Sequence, residues 1–103
     1  MYKLYFDTSD KRGITVKLYK NKLLISEKSE IRQYTSQTLL PLINNICNEN
    51  NISPKDINEV EFNRGPGSFT GLKVGSAVAN TFGWYLKIPV NGTENKIIAP
   101  VFE

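Results

Sequence analysis

The chain has 103 residues, 22% of them charged, and a formal net charge of +3. It is therefore expected to be one small domain with a modest core and only a mild preference for acidic partners. It contains no histidine and one cysteine, Cys47, which removes the commonest general base and metal ligand and leaves no intrachain disulfide to form. No window approaches the run of about 18 apolar residues that spans a bilayer. The opening Met1-Tyr2-Lys3-Leu4-Tyr5-Phe6-Asp7 reaches a carboxylate before a signal-peptide core can form, so no membrane association and a cytoplasmic location are the expectations.

Tyr2 to Phe6 reads as a first strand, with Tyr2, Leu4 and Phe6 on one face and Lys3 and Tyr5 on the other. After turn chemistry at Asp10-Lys11-Arg12-Gly13, Ile14 to Tyr19 alternates again, with Ile14, Val16 and Leu18 together. Lys20-Asn21 suits a tight turn, and Leu23 to Glu27 completes an antiparallel meander. A helix is predicted from Thr35 to Asn50, where Leu39, Leu42, Ile43, Ile46 and Cys47 form one apolar stripe. Pro41 is placed near its first turn, where a missing N–H is harmless, and Cys47 reads as a small core residue. Val60 to Asn63 is a fourth strand, Thr70 to Leu86 a second helix, and Ile88 to Val90 a fifth strand. Asn91-Gly92-Thr93 reads as a turn, and residues 93–103 form a tail that suits a short helix, a strand or an ordered extension.

The element order is thus βββαβαβ in a single domain. A long helical connection after the meander favours a right-handed crossover and parallel pairing. With strand four beside strand one, the mixed sheet has the order 3-2-1-4-5. The ends of those two strands, Asp7-Thr8-Ser9 and Arg64-Gly65-Pro66-Gly67-Ser68, then meet at one topological switch point.

The stretch Arg64-Gly65-Pro66-Gly67-Ser68-Phe69-Thr70-Gly71 joins a strand to a helix, the setting in which backbone N–H groups hold an anion. It lacks the Gly-Lys-Ser/Thr of a P-loop, and Thr70 stands where a dinucleotide loop has its third glycine. The plain reading is a sharp turn that glycine permits. In the helix, Gly71, Gly75, Ala79 and Gly83 recur every four residues beside a stripe of Val74, Val78, Phe82 and Leu86. Glycine inside a helix costs up to about 1 kcal/mol against alanine, so another backbone must come close. That backbone belongs either to the sheet beneath or to a helix of another chain.

Asp7-Thr8-Ser9, Leu39-Leu40-Pro41, the long run Arg64 to Gly75 and Ile88-Pro89-Val90-Asn91-Gly92 together resemble the amino-terminal half of the TsaB (YeaZ) family, over roughly Leu4 to Thr93. The resemblance implies a ribonuclease-H-like lobe of the actin-like ATPase superfamily. It also implies a part in making threonylcarbamoyladenosine in tRNA, as a non-catalytic subunit that pairs through its two helices with a TsaD-type transferase, joined by a TsaE-type ATPase. Family members carry a second lobe, so no two-lobed nucleotide cleft is expected within this chain. Thr35 stands where the family often has histidine, and Lys73 where it has arginine, which keeps the charge but loses the bidentate geometry.

Three functions follow for comparison. An interaction subunit would use Leu39, Ile43, Ile46 and Cys47 with Gly71, Gly75, Val78, Ala79 and Phe82, pairing with the transferase or, in isolation, as a homodimer. A nucleotide-binding lobe would place ATP or ADP with Mg²⁺ against Asp7, Ser9, Gly65, Gly67, Ser68 and Thr70. One carboxylate makes a poor Mg²⁺ site, and Asp7 suits capping of the turn after it. Hence no cofactor, no resident metal and no catalytic residue are expected. Direct tRNA binding would rest on Lys3, Lys11, Arg12, Lys17, Lys20, Lys22 and Lys73, which are scattered in sequence and lack interleaved aromatic platforms; contact with tRNA is expected to be indirect.

Overall fold

The computed structural model describes residues 1–31, 35–94 and 96–101. Strands β1 (Tyr2–Asp7), β2 (Ile14–Lys20) and β3 (Leu23–Glu30) lead into helix α1 (Thr35–Glu49), a 3-10 turn (Pro54–Asp56), strand β4 (Glu59–Phe62) and helix α2 (Phe69–Leu86). The sheet order is β3-β2-β1-β4. β1 pairs antiparallel with β2, Leu4 opposite Leu18, and parallel with β4, Phe6 opposite Phe62. The crossover predicted from the length of the α1 connection is therefore present, and the two strand ends meet.

Alternation sorts the residues as the period of two requires. Leu4, Phe6, Ile14, Val16, Leu18, Val60 and Phe62 are buried on one face, beneath both helices. α1 adds Leu39, Leu42, Ile43, Ile46 and Cys47 to that core. Each large side chain so buried contributes about 1.5–3 kcal/mol. The hairpin between β2 and β3 turns at Asn21-Lys22, both at positive φ (51° and 72°), the geometry that matches strand twist; the turn sits one residue later than Lys20-Asn21. Pro41 lies inside α1, six residues past Thr35, and not in its first turn, so it withdraws an N–H from the helical ladder.

The fifth strand is reduced to one residue. Val90 bridges Val60 in parallel and Thr93 in antiparallel fashion, and Ile88 to Val90 form no strand. Two causes are visible. Pro89 has no N–H to give, although its carbonyl accepts from Val60 N at 3.1 Å. The chain then reverses at Asn91-Gly92, both at positive φ, as the turn reading requires. The Asn91 amide takes the ladder place that a longer strand would fill, accepting from Phe62 N at 2.8 Å and donating to Phe62 O at 3.2 Å. Beyond it, residues 96–101 run as an ordered extension over α2.

The opposite sheet face carries Lys3, Tyr5 and Asp7, with Lys17 and Tyr19 from β2 and Glu59 and Glu61 from β4. Lys3 lies 5.3 Å from the Tyr19 ring centroid and pairs with Glu61 at 2.5 Å, while Lys17 lies 5.8 Å from Tyr5. Aromatic rings and lysines thus interleave on this face, as they do along the two strands in Tyr2-Lys3-Leu4-Tyr5 and Lys17-Leu18-Tyr19-Lys20, so the expectation of lysines without interleaved aromatics does not hold here. Among the described residues, no helix is long and apolar enough to cross a membrane.

This face sets an alkaline limit to stability. The hydrogen bond to Glu61 raises the pKa of Lys3, and burial raises that of Tyr5, with Asp7 and Glu61 adding to it. Both groups hold their protons more tightly in the folded state. Their contribution is complete below the ordinary values of 10.0 for tyrosine and 10.5 for lysine, and is lost as pH rises through the raised ones. A melting series is expected to show Tm falling from about pH 10 upward, less steeply in Tyr5→Phe; a fall of equal slope in that variant would contradict the assignment.

Candidate functional site

The carboxyl ends of β1 and β4 form a junction closed by its own hydrogen bonds. Asp7 Oδ1 accepts from Ser9 N at 2.8 Å and Ser9 Oγ at 2.6 Å, the Asx capping expected of it. Asp7 Oδ2 accepts from Asn63 Nδ2 at 3.1 Å, and Asn63 Oδ1 in turn accepts from Gly65 N at 2.9 Å. Ser9 O accepts from Ser68 N at 2.6 Å. Ser68 Oγ caps α2 by accepting from Gly71 N at 3.3 Å. Gly67 presses on Ser9, where an added Cβ would lie 2.5 Å from the Ser9 carbonyl oxygen. The structure therefore brings Asp7, Ser9, Gly65, Gly67 and Ser68 together, while Thr70 is exposed on the first turn of α2. Their polar groups hold two loops to each other. Among the described residues no group of three or more His, Cys, Asp or Glu side chains is gathered for a metal.

Thr8 and Asn63 also hold this junction, although neither is among the residues expected to contact a phosphate. Thr8 is buried, and its Oγ1 donates to Gly71 O at 2.7 Å. Its place in Asp7-Thr8-Ser9 was visible, but which of three polar residues turns inward depends on the loop, not on strand alternation. A Cβ on Gly71 would strike the Thr8 carbonyl, one on Gly75 would strike Thr8 Oγ1, and one on Gly83 would strike Val90. The small stripe of α2 thus packs on its own sheet.

That placement puts most of the residues expected at a helix interface within the chain itself. Leu39, Ile43, Ile46, Cys47, Gly71, Gly75 and Ala79 are buried inside this chain and present no side chain to a partner, while Val78 and Phe82 are half-buried. The physical reason is that a three-four apolar periodicity marks any buried face, whichever neighbour buries it. Burial also raises the Cys47 thiol pKa, Asp56 adding to it, so the thiolate is disfavoured. What the helices offer outward is different: Ala77, Thr81 and Tyr85 along one ridge of α2, Trp84 beside it, and Leu40 on α1. Tyr85 is 75% exposed and forms one wall of an apolar groove with Pro54, Phe82 and Leu86.

The extension over α2 is fastened by side chains. Asn80 Oδ1 accepts from Ile98 N at 2.8 Å and Asn80 Nδ2 donates to Ile98 O at 2.9 Å, with Ser76 Oγ donating to the same carbonyl at 3.0 Å. Arg64 Nε donates to Ala99 O at 2.8 Å.

Comparison with known proteins agrees with this geometry. A family model described as "TsaD: tRNA N6-adenosine threonylcarbamoyltransferase" matches residues 28–95. A relative from Buchnera aphidicola (subsp. Schizaphis graminum), named tRNA threonylcarbamoyladenosine biosynthesis protein TsaB, is 33% identical over 76% of this chain and 37% of its own length. The chain belongs to the TsaB (YeaZ) family. YeaZ from Pseudomonas aeruginosa superposes with a TM-score of 0.80 at 27% identity, over 87% of this chain and 43% of that one. A Bacteroides thetaiotaomicron protein with an actin-like ATPase fold, 14% identical, superposes at 0.53 over 91% of this chain and 34% of its own, and supports the lobe's fold alone. The chain spans about two fifths of the TsaB-type proteins it matches.

The Asn80 clamp makes a local expectation. Asn80→Ala removes both bonds to Ile98, so the Ile98 amide should exchange with deuterium faster, by roughly tenfold or more for the loss of bonds worth about 1–1.5 kcal/mol each. Unchanged protection at Ile98 would show that other contacts hold the extension.

Proposed function

We propose that this chain is a non-catalytic interaction subunit in tRNA threonylcarbamoyladenosine biosynthesis, pairing through the outward surface of its helical layer with a TsaD-type transferase. Family membership supplies the process. The observation that supports a binding role is the bare outward ridge of α2, where Ala77, Thr81 and Tyr85 are exposed at successive turns beside Trp84. Small residues in the middle of such a ridge let another helix approach closely, and a large ring at its end anchors it. The lack of histidine and the engagement of Asp7 within its own turn support a subunit without chemistry of its own. A TsaE-type ATPase joins the assembly in this reading, tRNA is met through the transferase, and the location is the cytoplasm.

The same ridge serves a second copy of the chain when no transferase is present. Light scattering of the chain alone and mixed with a TsaD-type protein tests both. A heterodimer is expected, and Ala77→Arg should abolish it while leaving the melting temperature of the chain within a few degrees, because Ala77 points away from the core. A complex that tolerates Ala77→Arg would move the interface elsewhere. A chain that stays monomeric in both mixtures would remove the interaction reading.

A further inference from the structure

The two strand ends are closed by their own bonds, and the Pro54–Tyr85 groove lies against the proposed pairing ridge. Another cavity lies between the last turn of α2 and the stretches 88–93 and 96–97; unlike the one between Tyr2, Tyr19 and Glu59, it has no carboxylate in its lining. It measures about 510 Å³, within the range of about 300–1,000 Å³ that holds small ligands. Gly83 and Val90 meet at its floor, where any side chain on Gly83 would strike Val90. Its rim carries Trp84, Lys87, Lys96 and Ile97.

Trp84 is the only tryptophan of the chain and is 81% exposed, with Ile97 beside it at 85%. A large ring left bare next to a cavity is a platform that nothing in the chain uses. Lys87 is set at the C-cap of α2 in the left-handed conformation, φ 58°. Lys96 arrives from the extension that Asn80 pins through Ile98. Both lysines line the cavity, neither is in an ion pair among the described residues, and no carboxylate is among the lining residues. The helix C-terminus contributes about half a negative charge here, which two ammonium groups outweigh.

We infer that this cavity binds a mononucleotide, its base stacked on Trp84 and its phosphate held between Lys87 and Lys96. An aromatic face accepts any planar base, and paired cations select the phosphorylated form. The site is separate from the Asp7 junction, and its Trp84 stands beside the proposed pairing ridge, so binding is measured on the chain without a transferase.

The single tryptophan is its own reporter. Titrating the full chain with adenosine monophosphate should quench Trp84 fluorescence in a saturable way at millimolar ligand or below, and shift the indole N–H resonance. Adenosine should bind roughly tenfold more weakly, inorganic phosphate should leave the indole signal unchanged, and added salt should weaken the nucleotide. The double substitution Lys87→Gln with Lys96→Gln should remove the preference for the nucleotide over adenosine with no change in melting temperature. Absence of saturable change with the nucleotide overturns the proposal, as does equal affinity for nucleotide in the double variant. Binding of a single-stranded oligonucleotide without the mononucleotide overturns it too, and would make the platform an RNA contact.

Discussion

The fold depends on how closely α2 can approach the end of β1. Thr8 leaves the strand turned inward, and its hydroxyl reaches the backbone of α2 at Gly71 O. Two positions on the helix, Gly71 and Gly75, have no side chain where Thr8 sits. With α2 so seated, Ser68 lies over Ser9 and caps the helix, the glycine loop closes on Asp7 and Asn63, and Leu72 and Ala79 enter the buried interior. The helical penalty of glycine, up to about 1 kcal/mol at each position, is offset by the contact it permits.

The strands were legible because one face of the sheet is buried. Leu4, Phe6, Val16 and Leu18 alternate with Lys3, Tyr5, Thr15 and Lys17, and the period of two needs no knowledge of the partner strand. Topology followed from connection length. The fifth strand was misjudged because Ile88, Pro89 and Val90 have strand composition, while the side-chain amide of Asn91 does the pairing. The extension was open in sequence because its order comes from Asn80, Ser76 and Arg64, which lie far away in the chain.

The candidate surfaces divide in the same way. A stripe of small residues says that something approaches closely but not what, and here Thr8 and Val90 of the same chain are what approach. Most of the interface residues expected from periodicity therefore pack inside the chain, with Val78 and Phe82 half-buried, and the outward ridge had no hydrophobic signal strong enough to announce itself. Lysines that looked scattered in sequence gather with tyrosines on the open sheet face, yet Asp7, Glu59 and Glu61 share that face, which argues against a polyanion lying there. Membership of the TsaB family and the inward-facing glycines together direct attention to Ala77, Thr81 and Tyr85, residues that neither line of reasoning picks out alone.

The central contact is tested most directly by a double-mutant cycle at Thr8. A Cβ at Gly75 meets the Thr8 side chain, whereas one at Gly71 meets the Thr8 backbone carbonyl. Urea unfolding should show Gly75→Ala destabilising the natural chain by about 1–3 kcal/mol. In a Thr8→Ala background its penalty should vanish, while that of Gly71→Ala should persist. Equal, additive penalties for both glycines in both backgrounds would contradict the account, because the seat of α2 would then not be Thr8.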